Sequence, residues 1–240
     1  MNTDLFTSIA QNALFVLEFL GIVVAIIIIA YLVELAAKKK NGSTERILTT
    51  KKMVVIGMFS AIATLLFLLE FPLPFLAPGF YEMDFSELPA LIAGFAYGPV
   101  AGVMVEFLKI LIKLAIKGTS TAFVGDLANF VIGCALILPA SICYSFKKNK
   151  KMAILSCVIG TIVIAGFGSI FNALYLLPAF SKVYGMDLAV IVEAGTQINP
   201  HITSPWTMAL WAVLPFNLIK GAVDSVITML VYKPLRKFLK

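Results

Sequence analysis

Four stretches of this chain are almost free of charge, and they leave few folds open. Residues 53–69, 127–146 and 152–181 contain no Asp, Glu, Lys or Arg, and residues 11–36 contain only Glu18 and Glu34. Each is near or above the roughly 18–20 residues that cross a hydrocarbon core about 30 Å thick. Lipid cannot satisfy an open backbone, so a spanning segment is a helix or part of a closed barrel. Barrel strands alternate apolar and polar residues over about ten positions. These runs are continuously apolar, which selects helices. Composition agrees: 60% of the 240 residues are hydrophobic and 13% charged, against about half and a quarter in soluble domains. The chain reads as an all-α integral membrane protein. The first run, too long for a secretory signal and preceded by no Lys or Arg, reads as a spanning helix.

Charge orients the helices. Fourteen of the 19 Lys and Arg fall in three clusters: Lys38, Lys39, Lys40, Arg46, Lys51 and Lys52; Lys147, Lys148, Lys150 and Lys151; and Lys233, Arg236, Lys237 and Lys240. The net charge of +6 is therefore placed for the cytoplasmic membrane edge, not for nucleic acid. Three basic edges on one side require an even number of crossings between them. Helices over 52–70, 86–97, 100–116 and 123–146 separate the first two clusters. Helices over 152–178 and 205–232 separate the second from the third. The Pro- and Gly-rich loop 71–85 and the turn 117–122 then lie outside, Gly98-Pro99 turns inside, and a long outer loop follows residue 178. The result is six core helices over 51–240. Residues 1–50 form an extension with an extra hydrophobic helix and a basic linker. The segment 86–97 is short for a full span.

Several chemistries find no support. Cys134, Cys143 and Cys157 show no CxxC spacing and read as small core residues. The single His201 has no second His for a metal site. No GxxxxGK[ST] loop supplies an ATPase. No Ser, His and acid constellation suggests a hydrolase, and no internal repeat suggests a common secondary-transporter plan. No catalytic residue, metal or cofactor is expected.

The informative residues are polar ones inside apolar helices, where ionisable groups face a cavity or a partner. Glu106, Lys109 and Lys113 share one helical stripe. They form either a Glu–Lys pair with Lys113 reaching to the outer surface, or the polar wall of a cavity. Asp126 and Asn129 start the fourth core helix, where Asp126 complements the helix dipole or serves a ligand. Asn172 either joins two helices or binds. Asn217 and Lys220, in Pro215-Phe216-Asn217-Leu218-Ile219-Lys220, share a face. Lys220 either pairs with Asp224 one turn later, or joins Asn217 in offering donors to a polar planar ligand. Gly57 and Ala61, with Ser60 beside them, make a small-residue face for close packing, within this chain or against a partner.

These segments, read together, resemble a known family. The carriers are Phe71-Pro72-Leu73-Pro74-Phe75, Met83-Asp84-Phe85-Ser86-Glu87-Leu88-Pro89-Ala90-Leu91, Gly98-Pro99, Glu106 to Lys109, Asp126-Leu127-Ala128-Asn129-Phe130, Asn172 and the PFNLIK segment. Over about residues 50–240, in order and spacing, they are similar to the riboflavin-specific substrate-binding subunits (S components, RibU type) of energy-coupling factor (ECF) transporters. The resemblance implies a six-helix S component that captures riboflavin from outside. It implies association with a membrane T subunit and two cytoplasmic ATPases, an outer loop covering the ligand, and tipping in the membrane to release the vitamin. It also implies ligand contacts from Lys109, Asn172, Asn217 and Lys220; Asp84, Lys113, Asp126 and Asn129 are further candidates for ligand binding. Docking to the T subunit would use Gly57, Ser60 and Ala61. Two features depart from the family: Ile110 follows Lys109 where many relatives have Asn, and the extension 1–50 is extra.

The chemistry suits riboflavin, whose ring has apolar faces and a polar edge that a mostly apolar pocket with a few placed polar groups can hold. A phosphorylated flavin would want two or more cations at its phosphate. No Arg lies near the outer half, yet Lys113 and Lys117 keep flavin mononucleotide open as an alternative. Another vitamin, an autonomous secondary carrier or membrane enzyme using Glu106 and Asp126, and an assembly protein with helix-joining polar residues are the rivals.

Overall fold

A computed structural model of the chain describes residues 3–239, with side chains for residues 5–235. Arg236, Lys237 and Lys240 of the third basic cluster thus lie outside the described side chains. A short helix α1 (Thr3–Gln11) breaks at Asn12 and gives way to α2 (Ala13–Lys40), whose last turn carries Lys38, Lys39 and Lys40, cations suited to a helix C-terminus. The Thr49 hydroxyl caps α3 (Thr50–Leu68). The loop beyond it folds into a small antiparallel hairpin of β1 (Phe71–Pro72) and β2 (Glu82–Met83). Then come α4 (Glu87–Tyr97), α5 (Pro99–Lys117) and α6 (Val124–Phe146). Asn149 caps α7 (Lys150–Phe171).

The long loop expected after residue 178 is largely helical. From α7 the chain continues through a π-helical segment, Asn172–Leu176, into α8 (Leu177–Tyr184). The wider π turn precedes Pro178, which has no N–H to give. Asp187 then caps α9 (Leu188–Thr196), whose Ile191 and Val192 pack into a core with Ile202 and Met208. The last span repeats the device: α10 (Pro205–Met208), a π segment Ala209–Val213, and α11 (Leu214–Leu239). Single π turns inside α-helices often mark functional sites, and here both flank the same cavity.

Among the described residues, five helical stretches are long and apolar enough to cross a membrane by length and composition: α2, α3, α6, α7 through α8, and α10 through α11. The other two core crossings explain themselves. Helix α5 has 19 residues but carries Glu106, Lys109 and Lys113, all buried within the bundle. Helix α4 has 11 residues, about 16 Å at 1.5 Å per residue, roughly half a hydrocarbon core. It is tolerated because it is enclosed. Ala90, Leu91, Ile92, Ala93 and Phe95 are at most 2% exposed, packed among α3, α5, α6 and α11.

Helix α2 is bound to this core. Phe19 packs on Phe130 in a cluster that includes Val23, Ala30, Val103 and Leu127. At one end Tyr175 donates its hydroxyl to Glu18 across 2.7 Å. At the other, Glu34 Oε2 accepts the Val100 amide at 3.0 Å, placing a carboxylate at the N-terminus of α5. Gly98 makes that approach feasible. Its φ is +109°, and a Cβ there would lie 2.6 Å from the Glu34 carboxylate, so both backbone and space require glycine.

Candidate functional site

A line of buried charges crosses the bundle at the start of α4. Asp84 Oδ1 accepts the Ser86 amide at 2.8 Å, which fixes the carboxylate at the helix entrance, and Glu87 occupies the first turn. Lys220 of α11 reaches both, 2.9 Å to Asp84 Oδ2 and 3.0 Å to Glu87 Oε2. On the other side of Glu87, Lys109 of α5 lies 3.3 Å from Oε1, 2.7 Å from Glu106 Oε2 and 2.6 Å from the Ser86 hydroxyl. Asp84, Lys220, Glu87, Lys109 and Glu106 therefore alternate in sign across four segments of the chain. All are at most 5% exposed, so each ammonium is held by carboxylates as a buried charge requires. Burial alone would raise the Asp84 carboxyl, but the ammonium groups of Lys220 and Lys109 outweigh it and hold Asp84 below its ordinary value.

Above this line, at the end of the bundle opposite the first two basic clusters, opens a cavity of about 460 Å³, within the range of small-ligand sites. Asp84, Glu87, Asn217 and Lys220 form its floor. Asn172, in the π segment after α7, lines one wall, and Asn129, Asp126 and Lys113 line another. Phe67, Phe80, Ile132, Leu176 and Phe216 supply apolar surface. The hairpin loop contributes Tyr81, whose hydroxyl donates to Asn172 Oδ1 at 2.6 Å. Burial raises the Tyr81 phenol, which keeps it a neutral donor.

Three buried atoms of this lining have no hydrogen-bond partner among the described residues: Glu87 Oε2, whose charge Lys220 neutralises at 3.0 Å, the Asn217 amide nitrogen, a donor, and the Asn129 amide oxygen, an acceptor. Buried polar atoms without partners are uncommon and call for an explanation. The Asn217 amide also lies close against α7, where a Cβ on Gly168 would be 2.7 Å from it. A ligand with an acceptor and a donor on one edge would satisfy both amides.

The structure thus brings Asn172, Asn217, Lys220, Asp84, Lys113, Asp126 and Asn129 to one cavity. Lys109 is not on the lining; it sits behind the floor, 0% exposed, because two glutamates and Ser86 hold it inward. Lys113 does not reach to the surface. It is buried and pairs with Asp126 at 2.6 Å, while Thr119 donates to the other Asp126 oxygen at 2.7 Å. Lys220 turns to Asp84 and Glu87, and the Asp224 oxygens accept no hydrogen bond among the described residues. Gly57 and Ala61 lie exposed on α3. Ser60, expected beside them, points inward instead. It is 0% exposed and its hydroxyl donates to the Ile56 carbonyl at 2.7 Å, so it offers nothing to a docking partner.

Glu87, Tyr81 and Glu70 escape a reading of sequence alone. Glu87 looks like an ordinary acid in a first helical turn, and its partners come from α5 and α11. Tyr81 lies within, and Glu70 just before, a loop with no periodicity to mark them.

Known proteins resemble this chain over most of its length. A family model described as the substrate-specific component of ECF transporters matches residues 51–232. A Staphylococcus aureus protein named riboflavin transporter RibU is 35% identical over 195 residues, covering 79% of this chain and 93% of the relative. A Bacillus subtilis protein named riboflavin transporter FmnP is 34% identical over 191 residues, covering 79% and 94%. A solved structure described as the S component of a bacterial ECF transporter superposes with a TM-score of 0.61 at 36% identity, covering 79% of this chain and 98% of that one.

Proposed function

The chain belongs to the substrate-specific components of ECF transporters, and from that premise we propose that it captures riboflavin for uptake driven by a separate energising module. The observation that carries this reading is the pair of unpartnered amides, Asn217 and Asn129, facing a mostly apolar cavity of about 460 Å³. The flavin ring presents carbonyl and ring-nitrogen acceptors and one N–H along an edge between apolar faces. Asn217 donates to that edge, Asn129 accepts from it, Asn172 and Lys220 flank it, and Phe80 and Phe216 pack the faces. Lys109 acts indirectly, by fixing Glu87 under Lys220.

The energising partners are a membrane T subunit and two cytoplasmic ATPases, consistent with the absence of a nucleotide-binding loop in this sequence. The exposed Gly57 and Ala61 face on α3 is the docking surface for the T subunit. The basic clusters and the C-terminus face the cytoplasm and the cavity faces outward. Residues 51–240 form the binding unit, and the extension 1–50 moves with it through the Glu18 and Glu34 contacts.

Titration of the purified chain with riboflavin, followed by tryptophan quenching and thermal shift, tests the reading. Saturable quenching with stabilisation is expected; well-folded protein that shows neither would refute it.

A further inference from the structure

Every lysine on the cavity lining is already held by a carboxylate. Lys220 sits 2.9 Å from Asp84 and 3.0 Å from Glu87, Lys113 sits 2.6 Å from Asp126, and Lys117 sits 2.7 Å from Glu70. Glu82 also lines the cavity, so five carboxylates face three ammonium groups. At the mouth, Glu82 lies near enough to Glu70 that burial, reinforced by that like charge, pushes its carboxyl above the ordinary value. The wall is therefore acidic where the sequence, read one helix at a time, left Lys113 and Lys117 open as partners for a phosphate.

We propose that Glu70 and Asp126 are specificity-determining residues that restrict the site to uncharged ligands and disfavour phosphorylated flavins, by keeping Lys117 and Lys113 occupied. This rests on the riboflavin reading and names the chemical class within it. A phosphomonoester carries about −1.5 to −2 charges at neutral pH and is held by two or more cationic donors. To recruit Lys113, the phosphate must strip it from Asp126, leaving a carboxylate that is 1% exposed without its ion partner. To recruit Lys117, it must displace Glu70 and approach Glu82. Riboflavin, which is neutral, meets none of these costs. Selectivity by repulsion of the wrong ligand is a common design.

The test compares riboflavin with flavin mononucleotide on the full chain in detergent at one low ionic strength. The wild type is expected to bind riboflavin at least about tenfold more tightly. Glu70→Gln frees Lys117 and should narrow that ratio by at least about threefold. Adding Lys117→Met to Glu70→Gln should undo the narrowing. Asp126→Asn should narrow the ratio too. Since Asp126 is buried and that variant can fail to fold, Glu70→Gln, at the partly exposed mouth, carries the test alone in that event. A wild type that binds both flavins within about twofold, or a folded Glu70→Gln protein with an unchanged ratio, overturns the proposal while leaving riboflavin capture standing. Failure of the wild type to bind riboflavin refutes the capture reading itself, and this inference with it.

Discussion

The Tyr81 hydroxyl donates to the Asn172 amide oxygen across 2.6 Å, tying the outer hairpin loop to the π segment that follows α7. The loop is also held by Asp84 on Lys220 at 2.9 Å. Asn172 and Lys220, both proposed for the ligand, thus also hold the loop over the cavity. On the proposed reading, ligand and loop compete for Asn172, and removing the Tyr81 hydroxyl removes one competitor. Tyr81→Phe is expected to raise the riboflavin association rate several-fold and to expose the loop to protease, a hydrogen bond of this kind being worth about 0.5–1.5 kcal/mol. Stopped-flow quenching measures the rate. A slower association would make Tyr81 a ligand contact and not a latch.

Asn217 and Lys220 should separate binding from stability. The Asn217 amide nitrogen has no partner among the described residues, so Asn217→Ala should weaken riboflavin by about 1–3 kcal/mol with little change in thermal unfolding. Lys220→Ala strands the buried Asp84 and Glu87 and should lose about 3–5 kcal/mol of stability as well. Titration calorimetry and thermal unfolding of both variants check the contrast; equal melting losses would contradict it.

Acid should open the loop late. Asp84 is held below its ordinary value by Lys220 and Lys109 against the effect of burial. A carboxyl depressed in this way contributes fully above its unfolded value of about 4. The contribution is lost only as pH falls from there through the lower folded value. Protease resistance of the loop should be flat from neutrality to roughly pH 5 and fall below about pH 4. A loss beginning near pH 6 would point to another group.

Gly98→Ala should destabilise the docking of α2. The φ of +109° and the 2.6 Å between the Glu34 carboxylate and the place an added methyl would take together imply a cost of about 1–3 kcal/mol. Thermal unfolding measures it. Adding Glu34→Ala, which clears the space but not the backbone strain, should recover only part.

Docking is tested on α3. Gly57 has nothing within 4 Å of a Cβ, so Gly57→Trp fits the isolated chain. It should spare riboflavin binding and abolish uptake in cells that express the whole transporter. Full uptake with a folded variant would move the docking surface elsewhere.

The helices were legible because hydropathy is a local property. A long run without charge, such as residues 53–69, states its own environment. The cavity's polar residues were legible as a set for a related reason: Asn172, Asn217 and Lys220 are conspicuous wherever they occur in an apolar helix. Their partners were not. Sequence placed Asp224 one turn from Lys220, and the fold gave Lys220 to Asp84 and Glu87. It placed Lys109 and Lys113 on one stripe, and the fold turned the first inward to Glu106 and Glu87 and the second to Asp126. In a medium with little water, a buried ammonium is held by the carboxylates that packing brings closest. Distance along the chain says little about which those are. Sequence by itself determined that this protein spans the membrane and which polar residues it carries there. Tertiary structure decided which charges neutralise one another, and so which atoms remain for a ligand.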